Sequence, residues 1–85
     1  MAEDKPNCVY VLRSESRPGR FYTGLTSNLG TRLAAHNSGE SVHTAAGRPW
    51  RVVVAMVFAD TARALAFEKF LKSGSGRDFA ERYFR

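Results

Sequence analysis

The alternation of apolar and polar residues predicts three strands, two of them joined as a hairpin. Residues 8–12 and 21–26 are short apolar runs rich in β-forming side chains, and Ser16-Arg17-Pro18-Gly19 between them is typical of a turn. Residues 52–58 form a longer run that is apolar throughout. This continuity favours a strand covered on both faces, so we expect it at the centre of the sheet.

Helical spacing predicts a first helix directly after the hairpin. Ser27 or Asn28 is suited to cap it, because both side chains accept hydrogen bonds from free backbone N–H groups. Leu29 and Leu33 stand one turn apart, and the helix is expected to end near residues 37–39. Its apolar face is narrow.

Two more helices and the overall fold class follow from the last third of the chain. Asp60 can cap a second helix that runs to Gly74, and Gly74-Ser75-Gly76 is predicted to hinge into a short basic helix at residues 77–84. The order β-β-α-β-α-α predicts an α+β fold, a small and mostly antiparallel three-stranded sheet flanked by helices. For 85 residues we expect a flexible tail at residues 1–7 and one domain at residues 8–85.

Composition narrows the class of protein and of partner. No apolar run approaches the roughly 20 residues needed to span a bilayer, and the single Cys8 rules out an internal disulfide and a Cys-based zinc site. A reducing cytoplasm is therefore the expected compartment. The formal net charge is +5, and ten of the 13 cationic residues are Arg. Guanidinium groups pair well with phosphate oxygens, so the balance favours a polyanionic partner.

Several residues stand at the spacing of a known family. Eleven residues separate Tyr10 from Tyr22, Arg32 follows Gly24 by eight positions, and His36 follows Arg32 by four. Glu68 lies midway along the second predicted helix. The segments Cys8-Val9-Tyr10 and Tyr22-Thr23-Gly24 resemble the two short motifs of the GIY-YIG endonuclease family, as found in its small standalone single-domain branch. The departures, Cys8 for glycine and Thr23 for isoleucine, affect backbone or packing positions.

The resemblance implies a role for each of these residues. Tyr10 would take the proton of the attacking water with help from His36, Tyr22 would position the water or phosphate, and Arg32 would stabilise the transition state. Tyrosine has an ordinary pKa near 10, so a phenol that acts as base near neutrality needs a relay or a lowered pKa. On the residues alone, Arg32 and His36 share a helix face that flanks the core, where a solvated surface pair is the alternative.

Glu68 is the residue from which we expect metal binding. It stands at the edge of the stripe formed by Leu65 and Leu71, where an unpaired carboxylate would be costly and needs a cation. The resemblance implies one divalent metal, Mg²⁺ with Mn²⁺ as an alternative, held by this carboxylate and water. A structural ion pair with a neighbouring Arg or Lys is the competing interpretation.

The function expected is that of a metal-dependent DNA endonuclease with low sequence specificity, and the alternative is a non-catalytic nucleic-acid-binding module on the same scaffold. No feature separates single-stranded, duplex or branched DNA. We expect neither a membrane nor an obligate protein partner, and a monomer or weak dimer. His43 is expected to be exposed, and Trp50 to lie in the core or stack on a base. The residues expected to contact nucleic acid are Gly24, Thr44, Arg48, Lys69, Lys72 and Arg77.

Overall fold

The computed structural model describes residues 5–85 as a three-stranded antiparallel sheet with helices on both faces. The predicted α+β order is confirmed. None of the helices in residues 5–85 has the length and apolarity required to cross a membrane. The elements are β1 (Cys8–Ser14), β2 (Phe21–Thr26), α1 (Leu29–Ser38), a 3₁₀ turn (Ala45–Gly47), β3 (Trp50–Val57), α2 (Thr61–Leu71) and α3 (Gly74–Tyr83).

The strand at the centre of the sheet is β1, and the prediction that placed the 52–58 run there was wrong. The strand order is β2-β1-β3, and β1 pairs antiparallel with both neighbours. β3 is an edge strand with Val52, Val53 and Val57 exposed to solvent. Both runs are apolar, so hydrophobicity alone did not separate them. The hairpin fixes β2 on one side of β1, and β3 takes the other side.

The two faces of the sheet bury different kinds of side chain. On one face, Val9 and Val11 pack against Ala64 and Leu71 of α2 and Ala80 of α3. Because successive residues of a strand point to opposite faces, Tyr10 and Leu12 lie on the other face, where they pack with Trp50, Tyr22, Leu29 and Leu33. α1 therefore covers the face with polar groups, and α2 and α3 cover the apolar face.

Side-chain caps fix where the helices start. The Asn28 side chain accepts from the Thr31 N–H at 3.0 Å, and Asp60 accepts from the Arg63 N–H at 2.7 Å. The cap at Asp60 was predicted, and Asn28 is one of the two residues predicted to cap α1. The predicted hinge at residues 74–76 was wrong, because Ser73 caps α3 and Gly74 is already its first residue. At Gly76 a Cβ would overlap the backbone of α2, so the close approach of these helices requires glycine.

The predicted tail at residues 1–7 is partly covered by the structure. Residues 1–4 lie outside the described residues. Asn7 is held at the end of the sheet, where its Nδ2 donates to the Phe58 carbonyl at 3.1 Å and its own carbonyl accepts from the Phe58 N–H at 2.8 Å. Asn7 is thus held against the end of β3 ahead of the first residue of β1.

Candidate active site

Tyr10 lies at the centre of the candidate site and is 1% exposed. Its cross-strand partner on β2 is Gly24. The phenol ring lies over this residue, and a Cβ there would overlap the hydroxyl end of the ring. Gly24 was expected to contact nucleic acid, but it is buried. A glycine is required at this position because a side chain would occupy the space of the Tyr10 ring.

Tyr22 joins Tyr10 from the neighbouring strand. It pairs with Leu12 in the register, which makes it the diagonal neighbour of Tyr10. The two ring centroids are 6.2 Å apart, and the Tyr22 ring lies 4.8 Å from the His36 ring. Tyr22 is half-buried and lies closer to solvent than Tyr10. The predicted meeting of two phenols on adjacent strands is confirmed.

His36 projects from α1 into the core and is 0% exposed. The expectation that it flanks the core was wrong, since the chain after α1 folds over the imidazole. Its Nε2 lies 3.0 Å from the Tyr10 hydroxyl, and its Nδ1 lies 2.8 Å from the Thr44 hydroxyl. Both ring nitrogens therefore have partners, as a buried imidazole requires.

The surroundings of Thr44 indicate which nitrogen of His36 carries the proton. The Thr44 hydroxyl also lies 3.5 Å from the Ser41 carbonyl, which can only accept. A hydroxyl that donates to this carbonyl accepts from the imidazole, so Nδ1 carries the hydrogen. Nε2 is then free to accept the Tyr10 proton. Trp50 Nε1 donates to the Thr44 carbonyl at 2.8 Å and anchors this loop in the core.

Burial and charge set the protonation of this cluster. Burial raises the pKa of the Tyr10 phenol above its ordinary 10.0, and the Arg32 guanidinium partly opposes that rise. Burial, followed by the positive charge of Arg32, lowers the pKa of His36 below its ordinary 6.5. At neutral pH the phenol is protonated and the imidazole is neutral. The pair therefore joins a proton donor to a proton acceptor.

Glu68 lies on α2, the helix of the apolar face. Its side chain is 13% exposed and forms an ion pair with Lys72, one turn further along the helix. This is the ion pair considered as the alternative to a metal. Leu71 is buried as the stripe predicted, but Leu65 is 40% exposed. Glu68 accordingly lies at the border of the core, with a lysine as its present counterion.

A cleft at the β2 edge of the sheet is lined by residues of β2, α2 and α3. It is about 290 Å³ in volume, and Tyr22 lines it together with Lys72 and Arg77. Lys72 is therefore shared between this cleft and the Glu68 carboxylate. Tyr22 of the phenol cluster and Lys72, the counterion of Glu68, therefore line the same cleft.

The other predicted nucleic-acid contacts are dispersed. Thr44 is 2% exposed, and its hydroxyl binds His36, so the structure gives it a contact within the core. Lys69 and Arg48 are exposed, and Arg48 Nε donates to the Ala45 carbonyl at 2.7 Å. Trp50 lies in the core as one of its two interpretations expected.

Sequence reasoning missed one contact of a predicted residue, Thr44, and two further residues near the site. The contact of Thr44 with His36 had no local signal, because the two residues are eight positions apart in the sequence. Arg20 precedes β2, and Arg85 lies beyond α3. They come together with Arg77 in a second cleft only through the fold.

A multi-ligand metal site is not part of this arrangement. Within residues 5–85, no three His, Cys, Asp or Glu side chains are grouped closely enough to hold an ion together. The oxygen donor near the cleft is the Glu68 carboxylate. A hard cation that keeps several water ligands is compatible with such a donor.

The sequence of the chain is similar to a known protein family and to several known proteins. Residues 6–83 match the family model described as the GIY-YIG catalytic domain. The chain is 40% identical over 65 residues to a UPF0213 protein of Streptococcus pneumoniae, which covers 75% of this chain and 64% of that protein. It is 41% identical over 66 residues to the structure-specific endonuclease subunit SLX1 of Chaetomium globosum and 42% identical over 67 residues to that of Podospora anserina.

The extent of these matches differs between the relatives. The matches to the two fungal subunits cover 71% and 72% of this chain but only 20% and 19% of those proteins. The chain thus spans less than two thirds of the curated relatives described above. No solved structure gives a significant match.

Proposed function

The chain belongs to the GIY-YIG family, and from this premise we propose that it is a metal-dependent endonuclease that hydrolyses DNA phosphodiester bonds with low sequence specificity. The observation that carries the proposal is the hydrogen bond between the Tyr10 hydroxyl and a neutral, buried His36. The Tyr22 ring lies beside His36, and the Arg32 guanidinium lies within hydrogen-bonding reach of Tyr10. The endonuclease name of the fungal relatives supports the same reaction class. A binding module would not need a buried proton-transfer pair.

The proton route begins at the attacking water. The phenolate form of Tyr10 is scarcely populated near neutral pH, because burial raises the pKa of the phenol. We therefore infer a coupled transfer, in which the phenol oxygen takes a proton from water while its own proton passes to His36 Nε2. Thr44 keeps the other nitrogen protonated and so holds the imidazole ready to accept.

The remaining groups act on the phosphate. The new bond joins the water oxygen to phosphorus as the bond to the leaving oxygen breaks, and the leaving oxygen takes its proton from solvent. Arg32 stabilises the negative charge that develops on the phosphoryl oxygens, because a fixed guanidinium is most effective in a partly buried site. Tyr22 lies between the buried pair and the cleft, where it can orient the water or phosphate.

Glu68 is the residue that would hold a divalent metal. Its carboxylate is mostly buried and already binds a cation, the Lys72 ammonium. A divalent ion coordinated by one carboxylate, water and a substrate phosphate fits this single oxygen donor. When bound, Mg²⁺ or Mn²⁺ would supply Lewis-acid stabilisation of charge on the phosphate and on the leaving oxygen.

One observation favours the second candidate, a nucleic-acid-binding module without turnover. Lys72 neutralises Glu68, and a carboxylate that serves only this ion pair would leave the site without a metal ligand. Such a module would bind DNA in a salt-dependent manner, and replacing Glu68 would leave this binding intact or strengthen it.

Cleavage of labelled DNA in the presence and absence of divalent metal separates the two functions. Purified protein is incubated with single-stranded, duplex and branched oligonucleotides in Mg²⁺, Mn²⁺ or EDTA. We expect cleavage that requires metal and that Glu68→Gln abolishes, whereas the matched Glu81→Gln, on an exposed position of α3, cuts normally. If the wild type binds but cuts none of the substrates, the endonuclease proposal fails and the binding module is supported.

A further inference from the structure

Two adjoining clefts line the outer edge of β2. The first, about 290 Å³, is lined by Tyr22, Lys72 and other residues, and the second, about 390 Å³, is lined by Arg20 and neighbours. Phe21, Arg77 and Arg85 line both clefts. The shared walls make them one groove, here called the β2-edge groove. It runs from Tyr22 toward the turn before β2.

The charge of the groove has one sign. Its cationic lining residues are Arg20, Lys72, Arg77 and Arg85, and no Asp or Glu is among the residues of the described chain that line either cleft. Of these four residues, Lys72 is the one that forms an ion pair with an acidic side chain within residues 5–85, namely with Glu68. Three exposed guanidinium groups that share a groove repel one another, so an anion that bridges them is favoured.

An aromatic ring lies among these cations. The Arg85 guanidinium lies 4.7 Å from the centroid of the Phe21 ring. This cation–π contact places the Arg85 guanidinium at the wall of the groove, where it can pair with phosphate oxygens as proteins do when they track the backbone of a single strand. A small anionic metabolite would not need a groove that extends over two clefts.

We propose that the β2-edge groove binds the backbone phosphates of the nucleic-acid strand on one side of the bond that is cut, with Arg20, Arg77 and Arg85 as the contacting residues. This inference rests on the proposed function, since Tyr22 connects the groove to the catalytic cluster. The contacts are to backbone and therefore independent of sequence. The groove therefore increases affinity for the strand without contributing sequence specificity.

The test compares two double variants with the same net charge. Arg20→Gln with Arg85→Gln removes two groove cations, and Arg63→Gln with Arg82→Gln removes two exposed arginines that line neither cleft. Binding of a fluorescein-labelled oligonucleotide is measured by anisotropy across a series of salt concentrations. Each lost phosphate contact reduces the slope of log K against log salt by about 0.7 to 0.9.

We expect the groove variant to lose about 1.4 to 1.8 of this slope and to raise KM with kcat unchanged, while the control retains both values. Arg20→Lys with Arg85→Lys, which keeps the charges, should recover most of the slope. Equal slopes in the groove variant and the control would overturn the proposal that the β2-edge groove binds backbone phosphates. If the wild type neither binds nor cuts DNA, the proposed function itself fails, so the two failures are distinguishable.

Discussion

The two faces of the central strand differ in what their burial accomplishes. On the face of α2 and α3, the side chains that β1 buries are aliphatic, and they pack with alanine, leucine and phenylalanine. On the face of α1, an equally buried layer contains a phenol, an imidazole and a threonine hydroxyl linked by hydrogen bonds of 3.0 and 2.8 Å. Since polar groups are costly to bury, the hydrogen-bonded groups of the second face agree with the catalytic role proposed for them, whereas the first face contributes packing.

Replacing Arg32 should damage the chemical face while leaving the fold. Arg32→Ala removes the guanidinium that we propose stabilises the developing phosphoryl charge, and we expect single-turnover cleavage to slow by about 100- to 1,000-fold, or about 3 to 4 kcal/mol. Thermal unfolding should change little. The control is Arg63→Ala, since Arg63 is an 82% exposed residue that pairs with Asp60. Equal rates for both variants would remove Arg32 from the site.

Truncating the apolar face should give the opposite result. Val11→Ala deletes buried methyl groups against α2, and we expect the free energy of unfolding to fall by about 2 kcal/mol. In a domain of this size that corresponds to a decrease in Tm of roughly 10 °C. Below the transition the folded variant should cut at the wild-type rate. Loss of activity without loss of stability would show that the faces are not separable.

The smallest expected effect is a pH dependence of stability carried by His36. Because burial lowers its pKa in the folded state below the ordinary 6.5, the unfolded chain binds more protons beneath that pH. The contribution of neutral His36 to the free energy of unfolding should therefore be fully present above about pH 6.5. It should be lost as the pH drops toward the pKa of His36 in the folded state. Chemical denaturation between neutral and acidic pH measures this. His36→Gln should flatten the dependence, and His43→Gln, at an exposed position, should leave it unchanged.

The difference between the faces also explains what the sequence could predict. Local signals were sufficient for the caps at Asn28 and Asp60, and hairpin geometry was sufficient for the meeting of Tyr10 with Tyr22. Local signals did not identify which strand lies at the centre of the sheet, because β1 and β3 are both apolar. The burial of each strand depends on which edges other elements cover. Nor could the position of His36 on a helix predict its burial, which requires the loop that carries Thr44.

Non-local packing likewise determined what was missed at the β2 edge. Arg20 and Arg85 are 65 positions apart and lie outside every helix and strand, so no periodicity joins them. Glu68 illustrates the same limit, since its spacing from Leu71 indicated a border position but not which cation would pair with it.

The most direct test of the account is cleavage of labelled DNA by the wild type and by Tyr10→Phe, each with Mg²⁺ and with EDTA. We expect metal-dependent cutting by the wild type and a loss of about 100- to 10,000-fold in Tyr10→Phe, which keeps the ring and loses only the hydroxyl that binds His36. Cutting by Tyr10→Phe at the wild-type rate, or cutting that EDTA does not affect, would contradict the account.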